Sequence, residues 1–569
     1  MRKKGILNRI LCIVSALAVV CTAVSCRKTE EAAVKTVLVT DPGLLPLTEG
    51  KERPVITVGI QRSVYTEDYE TNEYTLWLEE QTGVDLQFVL FSPDKAETAR
   101  QLQNMVDSNQ KLPDILMRLE NLDNSTLNSL GEAGKLIDLK PYFDNYAYFW
   151  DIACDRVEDP KLISDIMKCG IDSRTDACYG FPWVEVANPD TSTDTVAYNV
   201  WFNRKWLDAI GEPVPETAAD LKRVLKGFSE NDLNGNGKKD EIPSVCYTDG
   251  YRCDMIQWMI NAFVYCDDTN FYNVTDGKLW VPYNTAEYRR ALCYMNELYS
   301  EGLISPRSFT ISNDDELKEI ATPADGVAVC GLVGAHTTRN MDKTNDVVQE
   351  YTASHPLADE TGKGGYGVRV RANVKYNTAI TKDCENPKLA FRLLDFISSD
   401  EAMCRCRFGT RGRDWDWAGV GELDYAERQA GIKLYNPDVY VSRNNVNWHW
   451  ITSGIMNFRK NTNVYTRSYG SNSDSVREAT TLLIENNREA GTPDETVWSL
   501  AYNYQEQVIV NLYADRLKEY VRKERNRFIS GIVDPKSDED WNAYVNGLSS
   551  LGLESCILAA QSAWDRMNR

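Results

Sequence analysis

The sequence predicts an α/β protein that is divided into two or more lobes. From Pro54 onward, short runs rich in β-branched residues alternate with segments that carry apolar residues at helical spacing. The order strand, helix, strand, helix, strand is typical of a parallel sheet covered by helices. The chain has 569 residues, which is far more than one small hydrophobic core requires, so we expect more than one core.

The periodicity places the first elements in order. The first helix carries Tyr74, Trp77 and Leu78 on one side, and Gly83 is the expected residue at its end. The predicted elements are a strand at 55–60, this helix, a strand at 84–90, a helix around 99–106 and a strand near 112–116. The last part of the chain is predicted to be mostly helical, because apolar residues recur at helical spacing from Trp541 onward.

The N-terminus predicts export from the cytoplasm. Basic residues at the start are followed by an apolar run at 10–20, which is too short to read as a membrane span, and then by small residues up to Ser25. Residues 1–25 are therefore predicted as a signal peptide. Cys26 directly after Ala-Val-Ser resembles a bacterial lipobox, which implies a lipidated Cys26; the alternative is a plain signal peptide with an incidental cysteine. Residues 26–53 are predicted as the lipidated cysteine and a flexible tether.

Composition restricts the function. The formal net charge is −21 at pH 7, which argues against nucleic acid as a partner and against a basic membrane-binding face. Beyond Cys26 the cysteines show no metal-like C-x-x-C pair. They could be disulfides or small buried hydrophobic residues, and the sequence leaves both open.

Residues 232–241 have the spacing of a cation-binding loop. Side-chain oxygens at alternating positions, with a glycine at the sharp turn, are how an EF-hand-type loop wraps a hard cation. Position 12 of the pattern is Pro243, so Glu241 at position 10 would close the shell. The predicted calcium ligands are Asp232, Asn234, Asn236, the carbonyl of Lys238, Asp240 and Glu241. The alternatives are a solvated turn and magnesium, which prefers a tighter octahedron.

The stretch 206–217, with Trp206 at its start and Thr217 at its end, together with the loop that follows, resembles the family 1 extracellular solute-binding proteins. The resemblance is to their long lipoprotein branch, which includes alginate- and other oligosaccharide-binding receptors of ABC importers. It implies a two-lobed periplasmic-binding-protein-like fold, in which each lobe is a helix-covered, mostly parallel sheet and the ligand cleft lies between the lobes. It also implies that the calcium is structural.

The resemblance covers most of residues 54–569 and suggests how the lobes are composed. We expect lobe one to comprise residues 54–190 and 368–413, and lobe two to comprise residues 191–367 and 414–569. Gly364 to Gly367 are a candidate hinge, since glycine absorbs large changes in backbone dihedral angles.

A sugar site between lobes needs aromatic platforms with hydrogen-bonding groups at their rims. Aromatic residues cluster in segments without helical spacing, and Gly409, Gly412 and Trp415 resemble a family turn whose Trp can face the cleft. The candidate ligand contacts are Trp183, Asp194, Asn199, Trp258, Tyr366, Arg413, Asp414, Trp415 and Trp448. For each of them the alternative is ordinary packing at a lobe interface.

No catalytic residue is predicted. The chain has 3 histidines, none in an H-E-x-x-H helix, and it lacks a G-x-S-x-G elbow and a phosphate-binding loop. A glycoside hydrolase needs only two carboxylates, and no pair stands out. The expected function is a monomeric, lipid-anchored receptor that delivers an oligosaccharide to an ABC permease. The alternatives are a peptide receptor, a sensing or partner-docking lipoprotein and, less favoured, a glycoside hydrolase.

Overall fold

The computed structural model describes most of the chain. The described residues are 37–157, 159–186, 196–336, 339–368, 372–423, 429–436, 439, 442–449, 451–455, 472–489, 491–493 and 495–569. The predicted signal peptide, Cys26 and the start of the tether lie outside them. Within the described residues, no helix combines the length and the apolar character that crossing a membrane requires.

Helices and strands alternate along the chain, as predicted. The strands are β1 (Val55–Gln61), β2 (Asp85–Phe91), β3 (Ile115–Met117), β4 (Phe181–Val186), β5 (Val200–Asn203), β6 (Ile242–Cys246), β7 (Asn273–Thr275), β8 (Lys278–Trp280), β9 (Cys330–Gly334), β10 (Tyr351–Ala353), β11 (Ala372–Ile380), β12 (Trp415–Trp417), β13 (Ile432–Leu434) and β14 (Gly454–Ile455). The helices are α1 (Glu73–Thr82), α2 (Lys95–Asp107), α3 (Asn124–Glu132), α4 (Lys140–Tyr146), α5 (Phe149–Asp155), α6 (Pro160–Cys169), α7 (Arg204–Ile210), α8 (Ala218–Glu230), α9 (Met255–Ile260), α10 (Ala286–Ser300), α11 (Asp314–Ala321), α12 (Pro387–Ile397), α13 (Asp400–Phe408), α14 (Asn472–Glu489), α15 (Tyr504–Ile529), α16 (Asp538–Ser550) and α17 (Leu553–Met567).

Two sheets form the centres of the two lobes. The first sheet has the strand order β14-β4-β11-β3-β1-β2, and the second has the order β10-β5-β9-β6. The predicted strands at 55–60, 84–90 and 112–116 are β1, β2 and β3, and β1 lies parallel between the other two. We call the parts of the chain built on these sheets the first lobe and the second lobe.

The prediction of mostly parallel sheets holds for the first sheet, where three of the five neighbouring pairs of described strands are parallel, but not for the second sheet, where one of three such pairs is parallel. In the first sheet β11 is antiparallel to both of its neighbours, and in the second sheet β5 is antiparallel to β9 and β10. Strand β11 is antiparallel for a topological reason, because a parallel pair needs a crossover connection that returns the chain to the same end of the sheet. Strand β11 instead enters from the second lobe, where Ala372 pairs with Val186 at the end of β4, and so it runs in the opposite direction.

The C-terminal helices α15 to α17 pack on the second lobe, whereas the described residues within 415–455 lie with the first sheet. Trp415 lies in a buried cluster with Trp183 of β4, and β14 pairs with β4 in the first sheet. The described part of this segment therefore belongs with the first sheet, although we expected residues 414–569 to belong to lobe two. The pairing of β14 with β4 joins residues that are far apart in the sequence, so local periodicity does not predict it.

The end of the predicted tether is packed against the first lobe rather than flexible. Leu47 is fully buried, its N–H donates to the carbonyl of Thr82 at 2.8 Å, and Val39 forms a β-bridge with Thr48. The buried guanidinium of Arg392 donates to the carbonyl of Asp41 at 3.2 Å. Apolar burial and satisfied backbone groups hold residues 39–48 in place.

The cysteines that the structure describes are free thiols, and most of them are buried. Burial raises the pKa of the Cys178 thiol to about 12 and that of Cys384 likewise to about 12. These cysteines therefore act as small hydrophobic residues, which was one of the two possibilities the sequence left open.

The packed N-terminal segment predicts a stability difference between two leucines. Leu47→Ala should lower the free energy of unfolding by about 2–5 kcal/mol, because it leaves a cavity at a buried site. Leu44→Ala is the matched control, since the Leu44 side chain is 56% exposed, and it should change stability by less than about 0.5 kcal/mol. Urea unfolding followed by circular dichroism measures both, and equal values would show that the segment is not packed in solution.

Candidate functional site

A cavity of about 390 Å³ lies at the carboxyl ends of strands β4 and β6. This is the edge at which α/β sheets usually bind ligands, and the volume is within the range of small-molecule sites. The cavity is lined mainly by the second lobe, and strand β11 of the first sheet contributes Asn373. The lining side chains that carry aromatic or polar groups are Tyr198, Thr248, Asp249, Tyr251, Arg252, Asp254, Tyr265, Asp267, Asp268, Thr269, Asn270, Asn373, Thr496 and Trp498.

Aromatic rings supply the apolar part of the cavity. Tyr198 and Tyr265 are buried, whereas Tyr251 is exposed. The guanidinium groups of Arg252 and Arg339 lie 5.0 Å and 5.1 Å from the centroid of the Tyr251 ring. Flat rings of this kind can stack on the C–H face of a sugar while polar neighbours bond its hydroxyl groups.

A buried ion pair forms one wall of the cavity. Nη1 of Arg525 on helix α15 donates to the carboxylate of Asp254 at 2.8 Å. The other oxygen of Asp254 caps helix α9 by accepting from the N–H of Ile256 at 2.9 Å. Burial raises the pKa of Asp254, and the neighbouring guanidinium of Arg525 acts in the opposite direction. The pair thus joins the loop after β6 to the C-terminal helices.

Two adjacent carboxylates face the cavity without a cationic partner. Asp267 accepts hydrogen bonds from the N–H of Thr269 at 3.0 Å and from the amide of Asn270 at 2.5 Å. Asp268 accepts from the hydroxyl of Tyr198 at 2.8 Å. Burial raises the pKa of Asp267, and the charge of Asp268 adds to this effect. Neutral donors thus bind both acids, and neither acid forms an ion pair within the described residues.

The structure corrects three of the predicted ligand contacts. Trp415 and Trp448 are fully buried, and their indole N–H groups donate to the Gly409 carbonyl and the Thr75 hydroxyl, each at 2.8 Å. Trp258 is also buried, and its indole N–H donates to a backbone carbonyl. A ring that is packed on all sides and hydrogen-bonded inside the protein is a core residue, so none of the three lines the cavity.

Arg413 and Asp414 are engaged with each other rather than with the cavity. Nη2 of Arg413 donates to Asp414 at 2.7 Å, and its Nη1 donates to Glu73 of helix α1 at 3.0 Å. Asp414 is buried and also accepts from the N–H of Thr410 at 2.8 Å. The two residues stabilise the turn that precedes β12, and the predicted ligand role has no support in this geometry.

Three other candidates are among the described residues but do not line the cavity. The Tyr366 ring packs edge-on against Tyr265, with 6.0 Å between ring centroids. Trp183 is a buried residue of β4 with the guanidinium of Arg118 4.4 Å from its ring centroid. Asn199 is buried, and its side-chain oxygen has no hydrogen-bond partner within the described residues. Asp194, the last candidate, lies outside the residues that the structure describes.

The sequence analysis missed the two loops that build the cavity, at 248–254 and 265–270. Each contains a tyrosine and an aspartate separated by one residue, and the first follows the end of a strand. That position was a usable signal, because the carboxyl ends of strands carry ligand sites in α/β folds. The denser tryptophan clusters form a stronger pattern in the sequence, but Trp415 and Trp448 in them are core residues.

The predicted calcium loop, residues 232–241, connects helix α8 to strand β6, and its polar side chains converge. The side-chain amides of Asn234 and Asn236 donate to Asp240 at 3.0 Å and 3.1 Å, and they lower the pKa of Asp240. The N–H of Gly237 donates to Asp232 at 2.9 Å, with Gly237 at a φ of 75° that glycine adopts freely. Positions 1, 3, 5 and 9 of the loop therefore face one another.

Glu241, at position 10, contacts the start of the calcium loop. One carboxylate oxygen accepts from the N–H of Leu233 at 2.9 Å, and the other is buried with no hydrogen-bond partner among the described residues. A bound cation would remove the free-energy cost of that isolated oxygen. Lys238 lies at position 7, where its N–H donates to Asn236 at 2.8 Å. The donor set fits a hard cation that takes oxygen ligands.

The fit of the calcium loop depends on its two asparagines. Among the residues that the structure describes, no three or more His, Cys, Asp and Glu side chains form a group that could hold a metal. Calcium accepts amide and backbone oxygens as well as carboxylates, so a loop with Asn at positions 3 and 5 can still supply a shell.

The chain is similar to two bacterial proteins. It is 27% identical to the fructooligosaccharide ABC transporter substrate-binding protein FusA of Streptococcus pneumoniae over 234 residues, a match that spans 41% of each chain. It is 23% identical to the lipoprotein LipO of Bacillus subtilis over 481 residues, which are 81% of this chain and 83% of LipO. No protein-family model matches the chain.

Solved structures share the fold over almost their whole length. An extracellular solute-binding protein from Bifidobacterium longum subsp. infantis superposes with a TM-score of 0.70 at 18% identity, over 91% of this chain and 99% of the other. FusA of S. pneumoniae in complex with kestose gives a TM-score of 0.69 at 19% identity, over 90% and 99%. The fold is that of an extracellular solute-binding protein. The resemblance to solute-binding proteins is confirmed, and FusA and these solved structures are named as binding proteins.

The names of two further structures with this fold refer to an EF-hand or to a calcium ion. One is a FusA EF-hand mutant in complex with fructo-nystose, with a TM-score of 0.68. The other is the alginate-binding protein AlgQ2 without calcium ion, with a TM-score of 0.60. Both cover 90% of this chain at 19% and 18% identity.

The buried ion pair predicts a large and specific loss of stability. Arg525→Met should lower the free energy of unfolding by about 3–5 kcal/mol at neutral pH, because it leaves the Asp254 charge buried without a partner. The deficit should shrink as the pH falls, because burial raises the pKa of Asp254 and its protonation removes the uncompensated charge. Urea unfolding at several pH values measures both effects.

Arg522→Met is the matched control on the same helix. Arg522 pairs with Asp249, but both side chains are half exposed, so its loss should cost no more than about 1 kcal/mol at any pH. Equal losses in the two variants would contradict the role assigned to the buried pair.

Proposed function

We propose that this protein is an extracytoplasmic solute-binding receptor that delivers an oligosaccharide to an ABC importer. The observation that carries the proposal is a cavity at the strand edge between the two sheets, with tyrosine and tryptophan walls and hydrogen-bonding side chains. The relative FusA is named as a fructooligosaccharide-binding protein of an ABC transporter, which supports a carbohydrate ligand and a permease partner. The match covers 41% of FusA, so activity, substrate and partners stand as proposals for this chain.

The proposed mechanism is closure of the lobes on the ligand. A sugar in the cavity would contact Asn373 of the first sheet and Tyr198 and Asp268 of the second lobe at the same time. Because these contacts are complete only when the lobes are close together, binding shifts the population towards the closed form. The permease would then recognise that form. No residue of the cavity is assigned a chemical step.

The proposed attachment is a lipid on Cys26, supported by the lipobox-like sequence and by the name of the relative LipO. With residues 39–48 packed on the first lobe, the tether would shorten to the residues between Cys26 and Val39.

The calcium loop is proposed to bind a structural calcium ion. Asp232, Asn234, Asn236, Asp240 and Glu241 would hold it with the carbonyl of Lys238, and the ion would supply charge compensation for the three acids. The ion would tie the end of helix α8 to the start of strand β6. The names of the AlgQ2 and FusA structures support calcium in proteins of this fold.

Ligand binding should be visible in the fluorescence of Trp498. We expect a saturable change on titration with at least one class of oligosaccharide, and recovery of the glycan unchanged. Trp498→Phe should remove most of the signal and weaken binding by up to about tenfold, because a large aromatic platform is lost. Trp280→Phe is the control, since Trp280 does not line the cavity, and it should leave the affinity unchanged.

Two outcomes of this titration would contradict the proposal. A response to peptide mixtures with none to any glycan would favour a peptide receptor. Release of a shorter glycan would indicate a glycoside hydrolase.

Calcium should stabilise the protein through the loop at 232–241. The melting temperature should rise on adding calcium and fall in chelator, with a gain of about 2.7 kcal/mol when free calcium is 100 times its Kd. Asp232→Ala should abolish this dependence, and Asp208→Ala, an exposed acid on α7, should keep it. Differential scanning calorimetry measures each variant, and an unchanged calcium response in Asp232→Ala would reject the site.

A further inference from the structure

The charge of the cavity is unbalanced. Among the described residues that line it, four are carboxylates, Asp249, Asp254, Asp267 and Asp268, and one is a cation, Arg252. A ligand in the cavity therefore meets more fixed negative than positive charge. How much of that charge is compensated decides which ligands are accepted.

Two of the carboxylates are compensated by helix α15. Asp254 is paired with Arg525 at 2.8 Å, and Asp249 is paired with Arg522. Neither Arg525 nor Arg522 is among the residues that line the cavity. These two acids therefore present little net charge to a ligand.

The other two carboxylates are held by neutral hydrogen-bond donors. Asp267 is bonded to the backbone of Thr269 and the amide of Asn270, and Asp268 is bonded to the hydroxyl of Tyr198. These donors are neutral, so they stabilise the carboxylates without cancelling the charge. Within the described residues, no ion pair involves either acid.

Arg525 also interacts electrostatically with Asp268, but its hydrogen bond goes to Asp254, and two other guanidinium groups near the cavity have other partners. Arg252 donates to the carbonyl of Val196 at 2.6 Å and lies over the Tyr251 ring. Arg339 lies on the same ring and is 3.6 Å from the carboxylate of Asp314. Arg252 and Arg339 are thus placed around Tyr251, whereas the two acids that form no ion pair among the described residues are beside Tyr198.

We propose that Asp267 and Asp268 make the cavity selective against anionic glycans, so that the ligand is an oligosaccharide without uronic acid, sulfate or phosphate groups. Carboxylates in a partly enclosed cavity repel a bound anion, because the walls screen charge less than water does. The same oxygens accept hydrogen bonds from sugar hydroxyl groups and attract an amino group. This inference rests on the proposed function and concerns the same cavity.

The test compares three classes of oligosaccharide by isothermal titration calorimetry at pH 7. The probes are neutral glucose-, mannose-, xylose- and fructose-based oligomers of three to five units, the uronate oligomers oligogalacturonate and oligomannuronate, and amine-bearing chitosan oligomers. We expect at least one neutral oligomer to bind and every uronate oligomer to bind at least tenfold more weakly. The amine-bearing oligomers should not show this loss of affinity. Higher salt should reduce the difference in affinity between neutral and uronate oligomers.

A charge-removing variant separates electrostatics from shape. Asp268→Asn keeps the size of the side chain and should reduce the ratio of neutral to uronate affinity by at least threefold. Asp315→Asn is the control, since Asp315 is an exposed acid on α11 away from the cavity lining, and it should leave the ratio unchanged.

The outcomes are distinguishable. A uronate oligomer that binds as tightly as the best neutral oligomer, or an Asp268→Asn variant with an unchanged ratio, would overturn the charge selectivity while the receptor function stands. Failure of every glycan to bind would overturn the proposed function, and this inference with it.

Discussion

The second lobe depends on the buried ion pair between Asp254 and Arg525. Each charge is inside the protein and would be costly without the other. Because Asp254 also caps helix α9 and Arg525 belongs to helix α15, one contact holds the loop after β6, the start of a buried helix and the C-terminal helices together. The wall of the cavity is therefore formed by residues from the middle and the end of the chain.

The cavity sits where the chain passes between the two sheets. Strand β4 ends and β11 begins at this edge, and Asn373 of β11 donates to Glu185 of β4 at 3.1 Å. A group bound there can touch the first sheet and the loops of the second lobe together. This position suits a receptor that closes on its ligand, because ligand contacts to both sides would stabilise the closed conformation.

Strand β6 links the two proposed sites. The calcium loop precedes the strand and the cavity loop at 248–254 follows it. The strand therefore has a loop with polar side chains at each end. A cation held by Asp232, Asp240 and Glu241 would order the first end without taking part in ligand binding. The proposed calcium ion would thus lie at one end of β6 and the proposed ligand at the other.

Local features were predictable from the sequence. The spacing of Asp232, Asn234, Asn236 and Asp240 places their side chains together within one loop, so the pattern alone predicted their convergence. The strands β1, β2 and β3 and the apolar face of α8, from Leu221 to Phe228, likewise follow from periodicity over a few residues. The family resemblance then supplied the two-lobed arrangement, which periodicity alone does not contain.

Tertiary structure decided what each aromatic residue does. Tryptophan suits both a sugar platform and a hydrophobic core, and Trp448 became a core residue because its indole meets Thr75, which lies far away in the sequence. The cavity was assembled instead from Tyr198, Asp268 and Trp498, which only the packing of distant segments brings together. The sequence by itself thus determined the elements and the calcium loop, whose contacts are local, whereas the ligand cavity was determined by long-range contacts that no local pattern encodes.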